Sequence, residues 1–150
     1  MARFPKNAAE AVDALGLTEN ATVALVGPDH GFIGAVAASI GDGGKLIVAS
    51  PPPDEPTDGA QVVDSIANDT KADALIAWIN VVSVHTAREL AANVADGGSL
   101  WLVVPKGDRE TRAPVTEGEI KRSMLSAGWR EDRVVQFSKD AAAVRFRRRR

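Results

Sequence analysis

The chain has 150 residues, 45% of them hydrophobic and 25% charged, which suits a single globular domain with a buried core. It contains no cysteine, so disulfides, thiolate metal sites and a cysteine nucleophile are excluded, and its two histidines cannot build a structural zinc site without carboxylate help. The net charge of −2 argues against a nucleic-acid-binding face over the whole domain. Five arginines, Arg145, Arg147, Arg148, Arg149 and Arg150, gather at the end of the chain and leave an acidic body of about −7.

Asn7 is a helix N-cap, and Ala8, Val12 and Leu15 follow at helical spacing up to a Gly16 stop. Thr22–Val26 (TVALV) reads as a short strand buried on both faces. Gly27–Gly31 is a turn, and Phe32–Ile40 a helix ended by Gly41. Leu46–Ala49 is a second buried strand running into Pro51, Pro52 and Pro53, which cannot continue a ladder. Residues 58–68 are expected to form a helix with Val62, Val63 and Ile66 inward, with a strand over AQVVDSI as the alternative.

Ala72–Ile79 is a third strand. Val84, Ala87, Leu90, Ala91 and Val94 recur at three- and four-residue steps, so Ser83–Ala95 is expected to be an amphipathic helix stopped by Gly97 and Gly98. Leu100–Val104 (LWLVV) is a fourth buried strand. Thr116 and Glu119 form a capping box for a helix through Ser126, closed by Gly128. Val134–Phe137 and Ala142–Phe146 then make a hairpin around Ser138, Lys139 and Asp140.

Strands alternating with helices of this length call for a three-layer α/β/α fold. The mostly parallel, doubly wound sheet has about six strands and ends in an antiparallel hairpin. One domain over residues 1–150 is expected, with 1–6 and 147–150 as flexible ends. With no strand predicted beyond it, Leu46–Ala49 becomes a sheet edge, from which a homodimer across that edge or a helix face is expected. No apolar run approaches the length of a membrane helix and no leader pattern stands at Met1, so the cytoplasm is the expected location and no membrane partner is expected.

The stretches "VADGGSLWLVVPKG" and "IKRSMLSAGWREDRVVQFSKDAAAVRF" carry a resemblance. A GG turn into a penultimate apolar strand, a helix ending in an AGF-like turn and a closing hairpin are together similar to a class I S-adenosylmethionine-dependent methyltransferase. The likeness spans roughly Asn7 to Phe146. The LWLVVPK centre also resembles a family of short bacterial proteins of unknown function. The methyltransferase resemblance implies a Rossmann-like fold with S-adenosylmethionine above the first glycine turn. Gly27, Asp29, His30, Gly31, Ser50, Asp54 and Asn80 are then the positions that would meet it.

The departures are specific. In "VALVGPDHG", Leu25 stands where the family has an acidic residue and Asp29 where it has the middle glycine, which lets backbone approach the cofactor. Ser50 and three prolines replace the acidic residue that grips the ribose, so Asp54 or Glu55 substitutes only if the proline loop folds back. A methyltransferase-like domain with an eroded cofactor loop, serving as a binding or interaction module for an unknown small molecule or protein, is therefore the preferred expectation. A small active methyltransferase or other nucleotide-binding enzyme is the alternative, and a nucleic-acid accessory protein acting through the terminal arginines is a third.

Ligands of open parallel sheets bind at the carboxyl ends of the strands. In the first turn, backbone N–H groups at a helix start suit an anion, but Asp29 is expected to cap that helix itself. His30 is the one titrating side chain near this turn, without a partner evident in the sequence. His85 falls in the first turn of a helix, facing solvent or packing. Asn80 initiates a helix or contacts substrate. Lys106, Arg109 and Arg112 form a candidate anion site in a loop whose charges alternate in sign. No catalytic residue and no metal ligand is assigned.

Overall fold

The computed structural model describes residues 7–57, 59–79, 83–105, 117–138 and 141–148. Helix α1 (Ala8–Leu15) opens on Asn7, whose side chain accepts a 3.0 Å hydrogen bond from the Glu10 amide, and closes on Gly16 in the left-handed conformation. Then follow β1 (Thr22–Val26), α2 (Phe32–Ile40), β2 (Lys45–Ala49), β3 (Gln61–Val63) and β4 (Ala72–Trp78). Helix α3 (Val84–Leu90) runs into a single 3-10 turn (Ala91–Asn93). The chain ends with β5 (Val94–Pro105), α4 (Glu117–Ser126), β6 (Trp129–Ser138) and β7 (Ala141–Arg148).

All seven strands share one sheet in the order β3-β2-β1-β4-β5-β7-β6. Pairing is parallel from β3 through β5, and β7 runs antiparallel to both β5 and β6. The central strands are apolar on both faces because both faces are covered. On one side Val12, Leu15, Ile33 and Val36 from α1 and α2 pack on Val23, Leu25, Ile76 and Trp101. On the other Ala87, Ile120 and Met124 from α3 and α4 pack on Leu75, Leu100, Leu102 and Phe146. Burying each such Leu or Ile contributes about 1.5–3 kcal/mol, which is what holds the three layers together.

Three expectations are corrected. The expected helix over 58–68 does not form: residues 61–63 make β3, the strand alternative over AQVVDSI, and bring the sheet from about six strands to seven. Val62 is 48% exposed, so the apolar pair at 62–63 is a half-covered margin and not a helix face. Consequently Leu46–Ala49 is not an edge, since β3 pairs with β2 in parallel, and the premise for a dimer across it falls.

The third correction concerns the predicted helix over Ser83–Ala95, which stops at Leu90 with β5 already begun at Val94. Gly97 and Gly98 sit in an irregularity of the β4–β5 ladder, where Ala72 pairs with Val94 but Ala74 with Ser99. The buried Asn93 donates to the carbonyls of Ala67 and Thr70 at 2.8 and 3.0 Å, tying down the β3–β4 connection. The hairpin is also longer than expected at both ends, and Arg147 and Arg148 belong to β7. No helix among the described residues is long and apolar enough to cross a membrane.

Candidate functional site

At the carboxyl ends of β1, β2 and β4 the chain makes two linked turns. Gly27, with φ +68°, leaves β1 while its amide still donates to the Ala49 carbonyl at 2.9 Å. A second turn, closed by the Phe32 amide on the Asp29 carbonyl at 3.3 Å, carries Gly31 at φ +86° into the start of α2. Gly31 is required there for its positive φ and because a Cβ would meet the Ala8 Cβ of α1 at 3.3 Å. Below lies an aromatic floor in which Phe32 stacks on Phe137 and meets Trp78 edge-on, with centroids 5.1 and 5.2 Å apart.

Asp29 does not cap α2 through its side chain, contrary to expectation. The carboxylate that satisfies the helix start belongs to Glu55. Its Oε1 accepts from the Gly31 amide at 2.6 Å and its Oε2 lies 3.0 Å from His30 Nδ1. These two contacts, the Gly31 amide first, hold the Glu55 carboxyl below its ordinary value of 4.5.

The proline loop therefore does fold back, and its residues explain how. The Glu55 amide bonds to the Pro52 carbonyl at 3.4 Å across Pro53 and Asp54. Pro53 fixes a negative φ and Asp54 takes φ +59°, the combination of a type II turn. Asp54 itself is exposed at the turn's tip, and Glu55 is the residue brought back to the glycine turn.

Beside this closed turn lies a cavity of about 390 Å³ lined by Val26, Ala49, Ser50, Asp64, Ser65, Ile66, Ser83, Thr86 and Leu90. Val26, Ala49, Ile66 and Leu90 supply apolar walls, and hydroxyls and one carboxylate supply polar points. This is the usual make-up of a small-molecule site. Ser50, at φ +56°, rims it at the end of β2. Ser83 caps α3 by accepting from the Thr86 amide at 3.1 Å.

Of the sequence-nominated residues, Gly27, Asp29, His30 and Gly31 come together in the turn, and Ser50 joins the neighbouring cavity. Asn80, Lys106, Arg109 and Arg112 lie outside the described residues, as do Arg149 and Arg150 of the terminal cluster. His85 is exposed and pairs with Glu89 one helical turn on at 2.7 Å. Ser83 falls in the 80–83 stretch that the strand-end rule nominates, whereas Asp64, Ser65 and Thr86 carry no such nomination in the sequence. The signal for Asp64 and Ser65 is position alone: they directly follow β3, in a stretch where the sequence leaves helix and strand both open.

No protein-family model matches the chain, and no curated protein matches it in sequence. Solved structures do match in fold. A SAM-dependent methyltransferase from Aquifex aeolicus superposes with a TM-score of 0.73 at 19% identity, over 93% of this chain and 88% of that one. A TehB-like SAM-dependent methyltransferase from Corynebacterium glutamicum gives 0.68 at 14%, over 95% and 87%. Aeropyrum pernix fibrillarin, solved with natively bound S-adenosylmethionine, gives 0.65 at 16%, over 94% and 76%. At these identities the likeness is one of fold, and the fold is that of a class I S-adenosylmethionine-dependent methyltransferase.

Proposed function

We propose that this chain is a methyltransferase-like binding module that does not transfer a methyl group, and that its ligand is a nucleoside lacking an amino-acid tail. The observation that carries this reading is the Glu55 carboxylate on the Gly31 amide. A helix start that already holds an internal anion repels a second one and has given up the N–H that would receive it.

The residues fit S-adenosylmethionine only in part. A cavity of about 390 Å³ with Asp64, Ser65 and Ser50 as hydrogen-bonding points suits a nucleoside. The neighbouring turn, negatively charged by Glu55 and by the exposed Asp29, does not suit the amino acid's carboxylate. No transfer step follows from such a site.

Isothermal titration of adenosine, methylthioadenosine, S-adenosylmethionine and S-adenosylhomocysteine tests this. The two tail-less nucleosides are expected to bind about tenfold more tightly than the two carrying a carboxylate. Glu55→Ala should narrow that gap by strengthening the carboxylate-bearing pair.

A second reading, a small active methyltransferase, is favoured by the fact that an acidic residue following β2 does reach the glycine turn. On that reading Glu55 would move onto the ribose hydroxyls of the arriving cofactor. The same variant separates the two by sign, since Glu55→Ala would then weaken S-adenosylmethionine binding.

A further inference from the structure

The other end of the sheet carries a feature the nucleoside reading does not use. Strands β6 and β7 place Arg130 opposite Arg147 and Arg133 opposite Arg145. Directly opposed residues of an antiparallel pair share a face, so all four arginines stand on the side of the sheet that α1 and α2 cover further up. Arg145 identifies that side, since its guanidinium lies 5.7 Å over the ring of Trp101 in the core beneath α1 and α2.

Like charges directly opposed in a ladder are destabilising, and here two such pairs follow one another. One carboxylate relieves them. The irregular register between Glu131 and Arg133 sets Asp132 beside the strip. Its two oxygens lie 2.7 Å from Arg145 Nε and 3.1 Å from Arg147 Nε. Arg130 and Arg133 are exposed and have no ion-pair partner among the described residues. The four arginines and Asp132 sum to about +3, with Asp73 and Asp96 bordering the Arg145–Arg147 side, so the uncompensated charge is that of Arg130 and Arg133.

We propose that this arginine strip on the β6–β7 ribbon docks nucleic acid through its phosphodiester backbone. Charge complementarity selects a polyanion, and guanidinium groups bind phosphate oxygens through paired N–H donors. Same-face positions along a strand recur about every 6.7 Å, a spacing comparable to that of successive phosphates on an extended strand. Recognition is confined to the backbone because, among the described residues, the aromatic ring beneath the strip, Trp101, is buried under Arg145 and offers no platform on which a base could stack. Sequence-independent binding follows.

The test is fluorescence anisotropy of a labelled mixed-sequence oligonucleotide titrated with the full chain between about 50 and 200 mM salt. Wild type should bind at the lower salt and weaken steeply as salt rises. The double variant Arg130→Gln/Arg133→Gln should weaken binding about tenfold at low salt and flatten the slope of log K against log salt by about 1.5, the share of two phosphate contacts. Asp132→Asn, which releases Arg145 and Arg147, should tighten binding, an outcome that misfolding cannot produce.

Absence of binding at the lowest salt would overturn the proposal. So would affinity unchanged in the double variant, or a polyglutamate peptide that competes as well as unlabelled oligonucleotide at equal charge. Because the strip and the nucleoside cavity lie at opposite ends of the sheet, adenosine should not displace the oligonucleotide. The two readings therefore stand or fall separately.

Discussion

The Glu55 carboxylate and the Gly31 amide, 24 positions apart in the chain, meet at 2.6 Å and join the loop after β2 to the turn after β1. The contact depresses the Glu55 carboxyl in the folded chain. Its unfolded value is then the higher one, and the unfolded chain binds more protons in the window between them. The stabilisation is complete above the ordinary carboxylate value of 4.5 and is lost as pH falls through the lower folded value. Glu55→Gln should melt a few degrees below wild type at neutral pH, and the two melting curves should converge on acidification. A gap that stays constant down to strongly acid pH would mean the carboxylate is not held there.

Two adjacent glycines should fail differently. At Gly97 an added Cβ has open space and only the positive φ of +79° is at issue, so Gly97→Ala should cost about 1–2 kcal/mol. At Gly98 a Cβ would lie 2.8 Å from the Asp73 carbonyl oxygen and 2.9 Å from that of Ala95, backbone that cannot step aside. Gly98→Ala should therefore be the worse of the two, at about 3 kcal/mol or more, because it forces β4 and β5 apart. Chemical denaturation of both variants checks the ranking.

Asp54 holds the left-handed corner of the turn that swings Glu55 back. Glycine relaxes that corner but frees the unfolded chain, so Asp54→Gly should be neutral within about 0.5 kcal/mol. Asp54→Val, with a branched side chain in the same conformation, should destabilise by about 1–2 kcal/mol. It should also bring the pH profile closer to that of Glu55→Gln, since the carboxylate is no longer delivered.

Much of the fold was legible because its central strands are apolar on both faces and bounded by glycine or proline. TVALV was read to the residue, as were the first two helices, from Asn7, Gly16 and Gly41. What escaped was governed by tertiary contact. Residues 61–63 have too few positions to show a period, so helix and strand both stood open there, and it is the pairing with β2 that decides for strand. The glycine pair read as a helix stop serves a strand irregularity, which local sequence does not distinguish.

The site was half legible. The glycine turn announced itself, and the proline loop set the condition under which an acidic residue could reach it. Which of Asp54 and Glu55 would do so depended on one backbone angle. The arginine cluster was visible as a run of like charge. Its partners Arg130 and Arg133 were not, because only the hairpin register puts them opposite.

The order of the strands has a consequence for how the sheet is closed. Strand β7 is the last of the seven to be made, yet it lies between β5 and β6. Without residues 141–148, β5 would present an open row of peptide groups beside Leu100, Leu102 and Val104, and β6 would have no strand to pair with in the sheet. The sheet is therefore continuous from β3 to β6 only once β7 is seated, and the closing segment is what ties the antiparallel ribbon to the parallel core.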